Sequence, residues 1–175
     1  MEEKIEIRQE AQSDFKEVDR IIQSAFRQNN EANLVKLLRS SEAFIPELSL
    51  VSILNGIVIG HILFTRIKII KPDKNEIESL ALAPLSVSPE NQNKGIGRQL
   101  IWSGLDRARE LQYKSVIVLG HEHYYPKFGF VPARKWNIQS PYSVSTNRFM
   151  ALELESDALK YTEGQVKYAK EFEIF

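Results

Sequence analysis

The period of the apolar positions changes several times along the chain, and each change marks an element. Ile5 and Ile7 alternate with charged neighbours, the two-residue period of a short strand. From Phe15 the period lengthens: Phe15, Val18, Ile21, Ile22, Ala25 and Phe26 share one helical face. Ser13 or Asp14 stands where the N-cap belongs, and Glu17, three residues after Asp14, completes a capping-box pattern. Residues 27–30, Arg-Gln-Asn-Asn, predict a turn, and Ala32, Leu34, Val35, Leu37 and Leu38 predict a second helix from about Glu31. Strands are expected over 48–54 and 57–64, joined by Asn55-Gly56, the strongest hairpin signal in the chain. After a turn at 71–74, a strand over 77–87 carries Pro84, which has no N–H for a ladder and predicts a bulge or a break in pairing.

The stretch 82–113 organises the rest. The strand gives way to Gln92-Asn93-Lys94-Gly95-Ile96-Gly97, and then Leu100, Ile101, Gly104, Leu105, Ala108 and Leu111 recur at helical spacing. Arg98, Gln99, Asp106, Arg107, Arg109 and Glu110 point elsewhere, with Arg107 and Arg109 read as a solvated face. The first amides of a helix have no internal partners, and the macrodipole is positive there. Two glycines leave those amides uncovered, and Lys94 and Arg98 add charge, so the loop suits a phosphate or pyrophosphate; the same residues also make an ordinary turn. The loop is neither a P-loop, which would end Gly-Lys-Ser/Thr, nor the dinucleotide fingerprint, whose third glycine position is Leu100 here. Residues 115–119 predict a strand, so strand, helix and strand form a right-handed parallel crossover. Further strands are expected over 149–154 and 165–169, whereas 132–147 is polar with scattered aromatics and yields no assignment.

Composition narrows the class. A chain of 175 residues is expected to form one domain, with a core over about 5–135 and the extension 136–175 packed on it. Lysine plus arginine balance aspartate plus glutamate at 23 each, which gives no electrostatic footprint for nucleic acid or an anionic membrane. There is no cysteine, hence no disulfide, thiolate metal ligand or thiol nucleophile. The charged Met-Glu-Glu-Lys start has no following apolar region and no apolar run is long enough to span a bilayer, so a cytoplasmic protein is expected.

The glycine loop resembles the Q/R-x-x-G-x-G/A loop of the Gcn5-related N-acetyltransferase superfamily, and Tyr125-x-x-Phe128-Gly129-Phe130 resembles its Y-x-x-(L/F)-G-F motif. The two lie about 30 residues apart, in the superfamily's order, with a helix and a strand between them. The superfamily resemblance covers roughly 5–133. Gly60-His61, Pro84-Leu85-Ser86-Val87-Ser88-Pro89, Val118-Leu119-Gly120-His121 before Tyr124-Tyr125, the run Glu31 to Arg39 and Gly164 to Tyr168 extend it, over most of the chain, to the branch of YhbS-type predicted acetyltransferases.

The resemblance implies a mixed α/β fold: a central, mostly antiparallel sheet with one parallel, splayed strand pair and helices on both sides. It implies acetyl-coenzyme A as acyl donor, held by Leu85, Ser86, Val87, Gln92, Asn93, Lys94, Gly95, Ile96, Gly97, Arg98, Tyr125 and Phe128. The implied reaction is direct attack of a small-molecule or peptide amine on the thioester, in a monomer or homodimer. Backbone N–H groups of 85–87 would serve the developing oxyanion, and Tyr125 would be general acid to a thiolate whose thiol has a pKa near ~8.5; as a packed aromatic it would instead fill the Phe128–Phe130 cluster. The helix pair at 15–39 and its turn would lie beside the acceptor.

Two departures from the superfamily stand out. The strand position that carries a glutamate in several members falls near Ala81, with Glu76 and Glu78 close by, so Glu78, His121, a water chain or an already neutral amine is left as base. The asparagine that many members place after the second parallel strand is also absent. His121-Glu122-His123 has too few ligands for a metal site. His61 reads as a packed strand histidine, and Trp102 and Trp136 as covers for core edges. Two rival functions remain: a catalytically silent coenzyme A-binding regulatory module, and a toxin-like enzyme acetylating aminoacyl-tRNA, which would need a basic surface by the site.

Overall fold

The computed structural model describes residues 3–174. Strand β1 (Ile5–Gln9) is followed by helices α1 (Phe15–Phe26) and α2 (Asn30–Arg39), then by β2 (Phe44–Leu54), β3 (Ile57–Ile70) and β4 (Glu76–Val87). Helix α3 (Ile96–Glu110) leads to β5 (Ser115–Leu119), the two-residue strands β6 (Val131–Pro132) and β7 (Ile138–Gln139), and finally β8 (Phe149–Glu153) and β9 (Gly164–Lys167). Spatial order runs β1-β2-β3-β4-β5-β8-β6, with every pair antiparallel except β4–β5. Strands β7 and β9 pair in parallel beside the far end of β3.

Side-chain alternation sends consecutive β3 residues to opposite layers. Phe64 packs with Leu80, Leu82 and the α3 residues Leu100, Ile101, Leu105 and Ala108. Its neighbour Leu63 packs with Val18, Ile22, Val35 and Leu38 of α1 and α2. A third group around Ile67, Ile69, Ala81, Ile117, Ala151 and Val166 covers the end of the sheet that receives β9. That place exists because β2 starts at Phe44 opposite Thr65, so the β3 edge beyond Thr65 is open until Val166 and its neighbours pair with residues 68–70. An uncovered edge would be a template for another chain.

The Asn55-Gly56 turn has positive φ at both residues, 51° and 79°, as a type I′ hairpin requires. The bulge expected at Pro84 is present: Ile62 faces Leu85 and Phe64 faces Leu82, so Ala83 and Pro84 together oppose Leu63. The Ala83–Pro84 peptide is cis. Gly104 lets α3 settle on the sheet, since a Cβ there would stand 2.2 Å from the Phe64 ring.

Other expectations change. Asp14 makes no cap to α1; its carboxylate accepts the Ala11 N–H at 2.7 Å and two Arg8 N–H groups, an ion pair that holds its pKa below the usual range. Phe26, Leu37 and Leu111 are 38%, 42% and 37% exposed, so the predicted apolar faces are wider than the buried ones. Strands β2 and β3 are longer than expected, and 132–147 contains a 3-10 turn at Ala133–Trp136 and β7. Among the described residues, no helix is long and apolar enough to cross a membrane.

Candidate active site

The site grows from a strand pair that opens. Strand β5 pairs with β4 only at Leu80–Val116 and Ala81–Ile117, and past that point β4 runs on to Val87 without it. Ser88 donates its N–H to the Ile59 carbonyl at 2.8 Å, on the β3 side. Alternation along the strand gives Ser86 the same orientation and turns the Leu85 and Val87 N–H groups to the other side, toward the opening. The Ser86 hydroxyl is buried without a hydrogen-bond partner among the described residues.

The glycine loop closes the end of this opening. Asn93 and Gly95 both have positive φ, 61° and 82°, and Gly95 is the N-cap of α3. The first helical bond is donated by Gln99 to Gly95 at 3.1 Å, which leaves Ile96, Gly97 and Arg98 ahead of the ladder with their amides at the positive end of the helix. Gln92 donates from Nε2 to the Val87 carbonyl at 3.1 Å and ties the loop to the strand. The Cβ that Gly97 lacks would stand 3.3 Å from the Tyr124 hydroxyl, 3.7 Å from Leu85 Cδ2 and 3.9 Å from Val87 Cγ2. The loop, the strand end and Tyr124 therefore share one cradle, which a longer side chain at 97 would fill. Its amides, Lys94 and Arg98 suit an anion, so the residues present fit a pyrophosphate.

Tyr125 and Phe128 lie in the 3-10 turn Tyr125–Phe128 that follows β5. The Tyr125 ring lies 5.7 Å from Phe130 and 5.2 Å from Tyr124, both edge-on, and Phe128 lies between Tyr124 and Trp102 at 5.3 Å from each. Behind the Tyr125 ring is Gly120, where a Cβ would stand 2.2 Å from Cε2. Tyr125 is 8% exposed. Burial, with the neighbouring Tyr124 adding to it, pushes its phenol up to about 12. Burial also raises Tyr124, against the pull of Arg98.

The two expected bases part company. Glu78 is exposed and lines a cavity of about 550 Å³ with Ser41, Arg66, Lys68 and Lys167, apart from Tyr125 and every loop residue. It is seven residues from Leu85 along β4, on the order of 20 Å at about 3.3 Å per residue. His121 is exposed but shares the turn of Tyr125: its carbonyl accepts the N–H groups of Tyr124 and Tyr125 at 3.1 and 3.3 Å. His123 lies 3.4 Å from Glu122 and is exposed.

A second polar cluster is sealed away. His61 Nε2 lies 2.9 Å from Ser49 Oγ, which donates to Glu10 at 2.7 Å, and Glu10 pairs with Arg39. The residue types are those of a hydrolase triad, but the order is wrong, because serine bonds the acid directly and His61 Nδ1 has no partner among the described residues. Burial, aided by the Arg39 charge, pulls the His61 pKa down to about 3, so the ring is neutral.

Sequence reasoning missed two features. Tyr124 figures in the branch pattern beside Tyr125 but carries no role there; only the fold puts its hydroxyl at Gly97. The other is a cavity of about 510 Å³ that gathers the α1–α2 junction, the end of β5, the loop after β7 and the C-terminal turn, segments too far apart in sequence to signal one another.

With this geometry in hand, the comparisons with known proteins agree. The model of the Acetyltransferase (GNAT) family matches residues 13–130. Uncharacterized N-acetyltransferase YjhQ of Escherichia coli K12 is 41% identical over 123 residues, 69% of this chain and 66% of YjhQ. Uncharacterized N-acetyltransferase YhbS of the same strain is 30% identical over 97% of this chain and 99% of YhbS. The crystal structure of Escherichia coli YhbS in complex with CoA superposes with a TM-score of 0.91 at 28% identity, covering 99% of this chain and 94% of that one. A Brucella melitensis GNAT family acetyltransferase in complex with acetyl-CoA gives 0.78 at 30% identity, covering 97% and 99%. The parallel opening, the glycine loop and these matches have one reading: the chain belongs to the acetyltransferase (GNAT) family.

Proposed function

We propose that the protein transfers an acetyl group from acetyl-CoA to a primary amine by direct attack in a ternary complex. The observation that carries this is the β4–β5 opening with the Gly97 cradle at its end. The similar proteins from Escherichia coli and Brucella melitensis, crystallised with CoA and acetyl-CoA, support the choice of cosubstrate. Acetyl-CoA supplies an activated thioester. The amides of Ile96, Gly97 and Arg98, with Lys94 and the Arg98 side chain, hold the pyrophosphate. The outward N–H groups of Leu85 and Val87 donate to the pantetheine arm and to the carbonyl oxygen as it gains negative charge, at no reorganisation cost. Tyr125, held near 12 by burial, stays protonated at neutral pH. A thiol near ~8.5 is the stronger acid of the two, so the main contribution of Tyr125 is a hydrogen bond to the sulfur as the C–S bond breaks. The attacking nitrogen loses its proton to His121 or to water.

Calorimetric titration with acetyl-CoA, CoA and ATP, on wild type and Gly97→Glu, tests this reading. Binding of both coenzyme forms, weaker binding of ATP and loss of all three in the variant are expected. Failure of wild type to bind acetyl-CoA overturns it. The distance of Glu78 from the opening favours one other reading, a module that holds acetyl-CoA without transferring it. Such a module would bind the coenzyme and leave it unconsumed across a panel of amines.

A further inference from the structure

One wall residue of the cavity of about 510 Å³ stands next in sequence to the support of the Tyr125 ring, although neither Tyr125 nor any glycine-loop residue lines the cavity. Leu119, in its wall, is the last residue of β5 and precedes Gly120, on which the Tyr125 ring rests. Leu34, Val144, Phe172 and Tyr142 make the rest of the wall mainly apolar and aromatic, with the polar Gln28 and Asn30 on the α1–α2 side. Tyr142 stacks on Tyr168 at 5.5 Å, and Tyr168 meets Phe172 at 5.2 Å, so the aromatic side is braced from behind. Leu119 and Tyr142, each 43% exposed, present large apolar surface to the cavity.

One charged group breaks this apolar wall. Glu31, in the first turn of α2, lines the cavity, and no lysine or arginine does. Its Oε1 accepts Gln28 Nε2 at 2.8 Å. Its Oε2 is sealed from solvent and has no hydrogen-bond partner among the described residues. That oxygen is enclosed, so a ligand meets the rest of the Glu31 side chain. The carboxylate has Gln28 as its one side-chain donor among the described residues, and an ammonium in the cavity would offset its charge.

We propose, resting on the acetyl-transfer reading above, that this cavity is the acceptor site and that it selects a cationic amine with an apolar, aromatic-sized body. Glu31 takes the ammonium as the ligand enters, and Leu119, Tyr142 and Phe172 take the body. The site thereby rejects carboxylate-bearing molecules of the same shape, which would place like charge against Glu31.

Phenethylamine and 3-phenylpropanoate, matched in size and opposite in charge, are the probes. Binding to wild type, Glu31→Gln and Tyr142→Ala is measured by calorimetry with CoA present and absent, alongside acetyl-CoA affinity. Phenethylamine should bind wild type at least tenfold more tightly than Glu31→Gln, the propanoate should show the reverse order, and Tyr142→Ala should weaken phenethylamine but leave ethylamine unchanged. Acetyl-CoA affinity should be the same in all three proteins. Equal binding of the two probes, or a Glu31→Gln protein that binds phenethylamine as wild type does, overturns the proposal. Loss of acetyl-CoA binding by wild type, with the amine preference intact, would instead overturn the acetyl-transfer reading and keep the cavity as a cationic-amine site.

Discussion

Tyr124 and Tyr125 are adjacent in sequence and do different work. The Tyr125 ring is wedged between Phe130, Tyr124 and the bare backbone of Gly120, whereas Tyr124 reaches the glycine loop with its hydroxyl. Removing each hydroxyl should therefore change a different constant. Tyr125→Phe should lower kcat by about 10- to 100-fold, the worth of a hydrogen bond to a sulfur that gains charge, and leave acetyl-CoA affinity within about twofold. Tyr124→Phe should weaken acetyl-CoA binding by up to about tenfold, the worth of one hydrogen bond, with kcat at saturation nearly unchanged. Steady-state kinetics with calorimetry on both variants separates the two roles. The Y-x-x-F-G-F pattern made Tyr125 legible at the outset; Tyr124 was not, because a hydroxyl's target lies in the fold and not in the neighbouring letters.

Elements are held in place here by a few contacts of high cost. Helix α2 is pinned through Arg39, whose guanidinium pairs with Glu10 and Asp19 and lies 4.0 Å from the Phe15 ring centroid. Both Arg39 and Glu10 are buried, so Arg39→Ala should cost about 3–5 kcal/mol in a urea titration, most of it from leaving Glu10 without its partner. Adding Glu10→Met to Arg39→Met should recover a large part of the loss, the coupling that a double-mutant cycle reads. None of this was visible in the apolar period, which located α1, α2, α3 and the β2–β3 hairpin but is blind to polar contacts 29 residues apart. The same blindness explains Asp14: its residue type and spacing from Glu17 fit a cap, yet the nearby Arg8 offers a charged partner and takes it. Period also overstates width, since Phe26, Leu37 and Leu111 keep helical spacing at the margins of faces that the sheet only partly covers.

At the scale of the whole molecule, stability should carry the signature of one buried histidine. His61 titrates near 3 when folded, against 6.5 for the free group, so between these values the unfolded chain binds more protons. Stability therefore rises with pH through that window: the contribution is complete above about pH 6.5 and is lost as the solution is acidified. From pH 7.5 to 5 this one group should remove about 2 kcal/mol. Urea midpoints at those two values should move by that amount in wild type and by much less in His61→Asn, which has no proton to take up. The strand pattern around His61 foretold a packed histidine; its neutral state follows from burial and from Arg39, which only the folded chain brings near. The overall sheet was likewise half legible: β1 to β5 followed from period, turns and the crossover, while β6 and β7, two residues each, are too short to have a period.

Two glycines of α3 look alike in the sequence and differ in what occupies the space beside them. At Gly104 the Phe64 ring stands where a Cβ would be, whereas at Gly97 the nearest atoms lie 3.3 Å away or more. A library randomised at both positions and sorted first for soluble protein, then for acetyl transfer, would record that difference as two censuses. Position 104 should return glycine in the first sort. Position 97 should pass the first with many residues and return to the smallest ones only in the second, so the gap between its two tolerances measures room the chain keeps for a molecule other than itself.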